Sequence, residues 1–320
     1  MIGRRIGGAL TVLLIVIALN FFLFRVMPGD PLSGMMDPKL SAEAKDKIRG
    51  MWGLDKPLGE QFFIYVGQMA TFNFGMSMTT QRPVWDELRS RVPNTVALLL
   101  PALLLSAALG IYLGVKAAVA RGSLTEKLVI WSGAVSFSVP SFFVQIVLLM
   151  CFAYMLPLFP LRGSSSIPPP VGAAAVFDYL WHLSLPLISL VALSFGGWAL
   201  YIRNMMVKTL GEDYILMAVA RGLPKGRVVW NHAFRSILPP VLTMLLLSLP
   251  GVVSGAVLTE TVFSLNGAGS LLLEAVNSHN YPVAQAAFYI MALLTVLCNL
   301  LADLLCAYFD PRVRLGGEQA

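Results

Sequence analysis

The chain has 320 residues, of which 57% are hydrophobic and only 12% are charged. Soluble domains carry about 25% charged residues, so a soluble protein of this composition would lack the polar side chains needed to cover its surface. The composition therefore predicts a membrane protein with several apolar spans. The net charge of +6 does not indicate nucleic-acid binding, because the basic residues cluster at the ends of apolar segments.

The first apolar segment, residues 6–27, follows Arg4 and Arg5. This start is typical of a signal peptide, but the apolar run is longer than a signal-peptide core and no small-residue cleavage pattern follows it. We therefore expect an uncleaved first span. Two prolines and a Gly-Asp turn end that span, and the motif consists of Arg25, Pro28, Gly29, Asp30 and Pro31.

Residues 32–92 form a long polar region with balanced charge, in which Ser41 is expected to cap a short helix. The second span is predicted at 94–120, where Gly110 and Gly114 form a small-xxx-small pair that favours close helix contact. A third span at 128–156, a loop rich in proline, serine and glycine, and a fourth span at 183–206 follow.

The segment 211–240 is too polar to span a bilayer, yet it is patterned like two short helices. The first helix is predicted from Asp213 to Arg221, with Gly222 as a left-handed stop and Pro224 in the first turn of the second helix. Its arginines and lysines place it in the cytoplasm. We interpret it as a docking surface for a soluble partner, and the alternative is a plain connector.

Two further spans are predicted at 240–263 and 283–309. Glu260 lies near the outer end of the fifth span, and a glycine-containing turn with Gly267 and Gly269 follows it. After the sixth span the chain continues with Asp310, Pro311 and Arg312.

These motifs, in this order, resemble the dipeptide/oligopeptide/nickel permease family of ATP-binding-cassette (ABC) importers. The segment 211–240 is similar to the family's coupling loop, which sits in a cleft of the ATPase subunit. Leu216 and Met217 stand where the wider superfamily has glutamate and alanine, and Asn266 replaces a family proline. The resemblance assigns ATPase coupling to Asp213, Tyr214, Ala218, Ala220, Arg221, Gly222 and Leu223.

The resemblance implies an all-α fold with six transmembrane helices, the type I ABC importer permease fold. It also implies one permease half of a peptide importer. The partners would be a second related permease, two ATPase subunits and an extracytoplasmic binding protein. We expect an N-terminal helix and turn (1–31), an extracytoplasmic region (32–92) and a core permease domain (93–320), without a cofactor, in the cell inner membrane.

Charge asymmetry orients the spans, because short loops rich in lysine and arginine stay in the cytoplasm. The loops on one side carry Lys116, Arg121 and Lys127 as well as the basic 211–240 segment, whereas the two short loops on the other side carry only Arg162. Both termini are therefore expected in the cytoplasm.

Few residues suggest a chemical site. No catalytic constellation, metal-ligand spacing or ATP-binding glycine loop is present. Arg203 and Asp303 are predicted at similar depths, either as an intramembrane pair or as residues that separately reach the interface. Glu260 is expected either to line the translocation path or to bond the backbone of the Gly267 turn.

Three alternative functions stay open. Within the family the solute could be nickel, glutathione or an oligosaccharide. An ion-driven secondary transporter would need internal repeats and acidic residues in mid-span, which the sequence lacks. An intramembrane protease is disfavoured because Ser132-Gly133 follows Ile130 where a rhomboid-like nucleophile motif has glycine.

Overall fold

The computed structural model of the chain describes residues 2–26, 56–254 and 257–309, and within these ranges the fold is all-α. The PGDP turn, the helix predicted after Ser41 and the motif at 310–312 lie outside the described residues, as does the side chain of Arg25. The helices are α1 Ile2–Val26, α2 Leu58–Ala70, α3 Val84–Val119, α4 Leu124–Ser138, α5 Ser141–Leu148 with wider π-type turns over Leu149–Met155, α6 Ala173–Leu210, α7 Asp213–Ala220, α8 over 225–254, α9 Val257–Val262, α10 Ala268–Asn277 and α11 Tyr281–Phe309.

Five of these helices are long and apolar enough to cross a membrane. A sixth crossing results if α4 and the Ser141–Met155 helix count together, although they are bent by 106°. In the most apolar 18-residue stretch of each of the five helices, only 17–39% is buried. Most of these surfaces are therefore left for lipid or partner subunits. This confirms the predicted class of polytopic membrane protein.

The third span, predicted over 128–156, is not a single continuous helix. Val139 adopts an extended conformation (φ −105°, ψ 127°) and separates α4 from α5. The cause is local, because the ring of Pro140 disfavours helical backbone at the preceding residue and removes a backbone N–H.

Two other boundaries also differ. The second span, predicted to begin at residue 94, is part of α3, which already begins at Val84 and contains Pro93. The fifth span begins earlier than predicted, because α8 comprises Lys225–Arg227, the π-type turns of Val228–Phe234 and Arg235–Ser254 without interruption. Pro239 and Pro240 therefore lie within a helix, and the second helix of the 211–240 segment continues into the span.

The chain packs as two compact units, and the first contains residues 1–95 and 266–297. Its core is formed by apolar side chains from α1, α2, the start of α3, α10 and the start of α11. Buried Asn280 makes three side-chain hydrogen bonds within this unit. Its Oδ1 accepts from the Met78 backbone N–H at 3.1 Å, and its Nδ2 donates to the hydroxyls of Ser77 and Thr79. The sequence-based division at residues 31 and 92 stays a prediction.

The second unit contains residues 96–265 and 298–320. Here α3 and α6 cross at Gly110 and Gly114, as the small-xxx-small pair predicted. A Cβ atom on Gly114 would lie 2.6 Å from the Ala199 carbonyl oxygen and 2.8 Å from the Ile202 Cβ. The two backbones approach so closely that only glycine fits, and this crossing lies in the half of α6 that leads to the 211–240 segment.

Candidate coupling surface

The helix α7 ends where the sequence predicted. Gly222 has a φ of +78°, in the left-handed region. The N–H of Leu223 donates to the Ala218 carbonyl at 3.3 Å, and the N–H of Gly222 donates to the Val219 carbonyl at 2.9 Å. These two bonds form a Schellman motif, which satisfies carbonyls at the helix end and reverses the chain towards α8.

The start of α8 corrects one detail of the prediction. Pro224 has an extended ψ of 141° and precedes the helix instead of occupying its first turn. Its carbonyl accepts from the N–H groups of Arg227 at 2.9 Å and Val228 at 3.1 Å. The result is a tight helical hairpin, 213–234, which we call the coupling hairpin.

One face of the coupling hairpin is buried. Ile215 and Ala218 of α7 pack in a cluster with Val228 and Ala233 of α8 and with Met206 of α6. Residues Val115, Ala118, Ile202, Ile237 and Val241 complete this cluster. The cluster joins the hairpin to the ends of α3 and α6, so the hairpin packs directly on these two helices.

A hydrogen-bond chain closes the hairpin. The Tyr214 hydroxyl donates to Ser236 Oγ at 2.9 Å, and that hydroxyl donates to the His232 carbonyl, also at 2.9 Å. Tyr214, predicted to contact the ATPase, thus also ties α7 to α8. Sequence reasoning assigned no role to Ser236, although it lies one helical turn after His232.

The opposite face is exposed and largely apolar. Leu216, Met217 and Val219 are 56–57% exposed. Exposed charged residues lie on both sides of them in the sequence: Glu212 and Asp213 before, and Arg221, Lys225, Arg227 and Arg235 after. An exposed apolar patch with polar neighbours is typical of an interaction site. The two departures from the superfamily pattern, Leu216 and Met217, form this apolar face together with Val219.

The predicted coupling residues separate into two groups. Asp213, Tyr214, Ala220, Arg221 and Gly222 are exposed, so a partner can reach them. Ala218 is buried and Leu223 is half-buried, and both contribute to the packing beneath the surface.

The predicted pairing of Arg203 with Asp303 is corrected. Among the described residues, the carboxylate that contacts the Arg203 guanidinium is that of Glu126, with Nε to Oε1 at 3.1 Å and a second bond from Nη2. Sequence reasoning placed Glu126 in a loop. The missed signal is Ser123-Leu-Thr-Glu126, a capping-box pattern that starts α4 at Leu124.

The remaining motif residues lie in different units. Glu260 is buried in α9 at 1% exposure, and both readings of its role stay predictions. In the first unit, Gly267 precedes α10 and Gly269 is buried in its first turn. The Thr95 hydroxyl accepts from the Ala268 N–H at 2.9 Å. Among the described residues, no group of His, Cys, Asp and Glu could hold a metal ion.

Comparison with known proteins identifies the family of the chain. Residues 106–315 match the family of binding-protein-dependent transport system inner membrane components, and residues 1–99 match the N-terminal family of such membrane components. The chain belongs to this family. It therefore has the type I ABC importer permease fold and works with ATPase and substrate-binding partners.

Three relatives of this permease match it over nearly their whole length. It is 37% identical to the di/tripeptide transport system permease protein DppB of Pseudomonas aeruginosa, with 98% of each chain covered. It is 34% identical to the dipeptide transport system permease protein DppB of Lactococcus lactis, again with 98% covered. It is 32% identical to the oligopeptide transport system permease protein AppB of Bacillus subtilis, with 97% of this chain and 98% of that protein covered.

Proposed function

We propose that the chain is one permease half of an ABC importer that takes up di- or oligopeptides. The observation that carries the proposal is the exposed apolar face of α7, because an apolar surface on a folded hairpin is typical of a site that a partner covers. The peptide substrate is supported by the names of the three relatives.

In this proposal the chain binds no ATP, and hydrolysis takes place in two separate ATPase subunits. The other partners are a second, related permease and an extracytoplasmic binding protein. Closure of the ATPases moves the coupling hairpin, and its buried cluster with α3, α6 and α8 transmits the movement to the spans. The helices then alternate between access from outside and from inside.

The proposed orientation places the hairpin and both termini in the cytoplasm of an inner-membrane protein. Lys116, Arg121 and Lys127 lie around the α3–α4 turn, and the Arg121 guanidinium donates to the Val207 carbonyl at 3.4 Å. This contact places the basic turn beside the end of α6 that precedes the hairpin. Six crossings, with the bent pair counted as one, return the chain to the side where it began.

Placing a charge on the exposed face tests the coupling surface. Met217→Asp should lower the amount of ATPase that co-purifies with tagged permease at least about tenfold, since burying an unpaired carboxylate is costly. Met217→Leu is the matched control and should keep wild-type binding, because it preserves an apolar side chain of similar size. Equal ATPase recovery with both variants would contradict the proposed surface.

Single cysteines test the orientation. In a background without the three native cysteines, Val171→Cys in the loop before α6 should react with an impermeant maleimide in whole cells. Lys225→Cys should react only after the membrane is opened. Val171 is 86% exposed and Lys225 is also exposed, so accessibility in the protein does not limit either reaction. Labelling of both positions from outside would rule out the proposed topology.

The transported solute is tested on the binding protein. Mass spectrometry of ligand released from the purified binding protein should find short peptides. Nickel, glutathione or an oligosaccharide in their place would keep the permease assignment and change its substrate.

A further inference from the structure

The ion pair between Glu126 and Arg203 lies close to the coupling hairpin. Its side chains are shielded from water, with the Arg203 side chain 23% exposed and the Glu126 side chain 10% exposed. The guanidinium donates to Glu126 Oε1 through Nε and Nη2 and to Asn204 Oδ1 through Nη1 at 2.9 Å. Three directed bonds hold the arginine in one orientation.

The carboxylate is also held from its other side. Glu126 Oε2 accepts from the Gly122 backbone N–H at 2.6 Å, while the Ser123 hydroxyl accepts from the Glu126 N–H at 3.3 Å. The carboxylate therefore joins three parts of the chain: the α3–α4 turn, the first turn of α4 and the cytoplasmic end of α6. Arg121 adds a second link from the turn to α6 through the Val207 carbonyl.

Further along the same helices, the packing is tight. A Cβ on Gly133 of α4 would lie 2.9 Å from Leu200 Cδ2, and a Cβ on Gly196 of α6 would lie 2.4 Å from the Ser132 carbonyl oxygen. These contacts join the middle of α4 to α6. The first turn of α4 is joined to α6 by the ion pair.

The position of Arg203 in α6 connects the pair to the hairpin. Ile202 and Met206, one residue before and three residues after Arg203, belong to the cluster that includes Ile215 and Ala218 of α7. A push on α7 therefore reaches α6 at the turn that carries Arg203. The α4 helix has no residue in this cluster, but its Val129 packs with Ala117 of α3 and Ala199 of α6. A displacement therefore reaches α4 through both of these helices.

We propose that Glu126 and Arg203 are a positioning pair that makes the cytoplasmic end of α4 move together with α6 when the ATPases displace the coupling hairpin. The inference rests on the proposed function. Without the pair, α7 would still dock and move α6, but the first turn of α4 would lag behind. The expected defect is lost coupling with retained assembly.

The test uses the complete complex of both permeases and two ATPases in proteoliposomes, with the ligand-loaded binding protein added. Glu126→Gln keeps a carbonyl oxygen that can accept a hydrogen bond but removes the charge, and Arg203→Gln removes the guanidinium. Each should keep ATPase attachment and basal hydrolysis, while stimulation by the loaded binding protein falls about tenfold, as the loss of a charge-assisted hydrogen bond suggests. The double variant should be no worse than either single variant, because one interaction is lost in all three.

Neighbouring charge removals provide matched controls. Lys127 and Lys208 are exposed and lie on the same two helix ends. Lys127→Gln and Lys208→Gln should therefore keep wild-type stimulation. Wild-type stimulation in Glu126→Gln would overturn the inference, and so would loss of assembly, which would show a role in folding instead. A wild-type complex without any stimulation would overturn the proposed function and the inference with it.

A distance measurement reports on the movement itself. Spin labels on Lys127→Cys and Lys208→Cys, without the native cysteines, should give one narrow distance distribution that ATP and loaded binding protein leave unchanged. With Glu126→Gln added, the distribution should broaden or shift when ATP is present. A wild-type distance that changes on ATP binding would show that α4 and α6 do not move together.

Discussion

Replacing Gly114 by leucine should prevent the permease from reaching its folded state. A Cβ at this position would already lie 2.6 Å from the Ala199 carbonyl oxygen and 2.8 Å from Ile202 Cβ, and the three further carbons of leucine have no space. The obstacle is largely backbone, so α3 and α6 must separate. Even Gly114→Ala should cost about 1–3 kcal/mol through overpacking.

The measurement is the yield and the thermal midpoint of the detergent-solubilised permease, followed by size-exclusion chromatography. Gly8→Leu in α1 is the matched control, because a Cβ there meets no atom within 4 Å. The control should keep its yield, Gly114→Ala should have a lower midpoint, and Gly114→Leu should be recovered only as aggregate. A monodisperse Gly114→Leu protein at wild-type yield would contradict the helix crossing seen here.

Replacing Gly222 by valine should abolish solute uptake while the spans stay inserted. Gly222 has a φ of +78°, and a β-branched residue is a genuine outlier there. The valine adds backbone strain of at least about 1 kcal/mol. This strain weakens the two hydrogen bonds of the Schellman motif, which the N–H groups of Leu223 and Gly222 donate. The turn must then open, which displaces the apolar face of α7 from its position over the buried cluster.

Gly226 supplies the control for this substitution. It lies four residues further along the same exposed hairpin, a Cβ on it meets no atom within 4 Å, and its φ is not positive. Gly226→Ala should leave ATPase co-purification and uptake unchanged, Gly222→Ala should lower both, and Gly222→Val should lower them furthest. Wild-type attachment, stimulation and uptake in Gly222→Val would mean that the hairpin is only a connector.

The predictions that the structure confirms were based on residue types and their neighbours within a few positions. The left-handed stop at Gly222 follows from a residue type and its immediate neighbours, and the apolar runs identify spans because length and composition suffice. The sequence pattern of Ser123 and Glu126, in which the serine caps the helix, was equally local, so the start of α4 could have been found. The bend after Ser138 could also have been found, because Pro140 restricts its predecessor wherever it occurs.

The sequence by itself determined the class of protein, most of its spans and the place of its coupling hairpin, because periodicity, composition and turn chemistry act over a few residues. Only the tertiary structure decided that Arg203 pairs with Glu126, that Gly114 meets Ala199 and that Pro239 and Pro240 continue a helix. These features join residues far apart in the chain or depend on neighbouring helices. Whether such contacts form depends on how closely the elements approach one another, and no local sequence pattern encodes those distances.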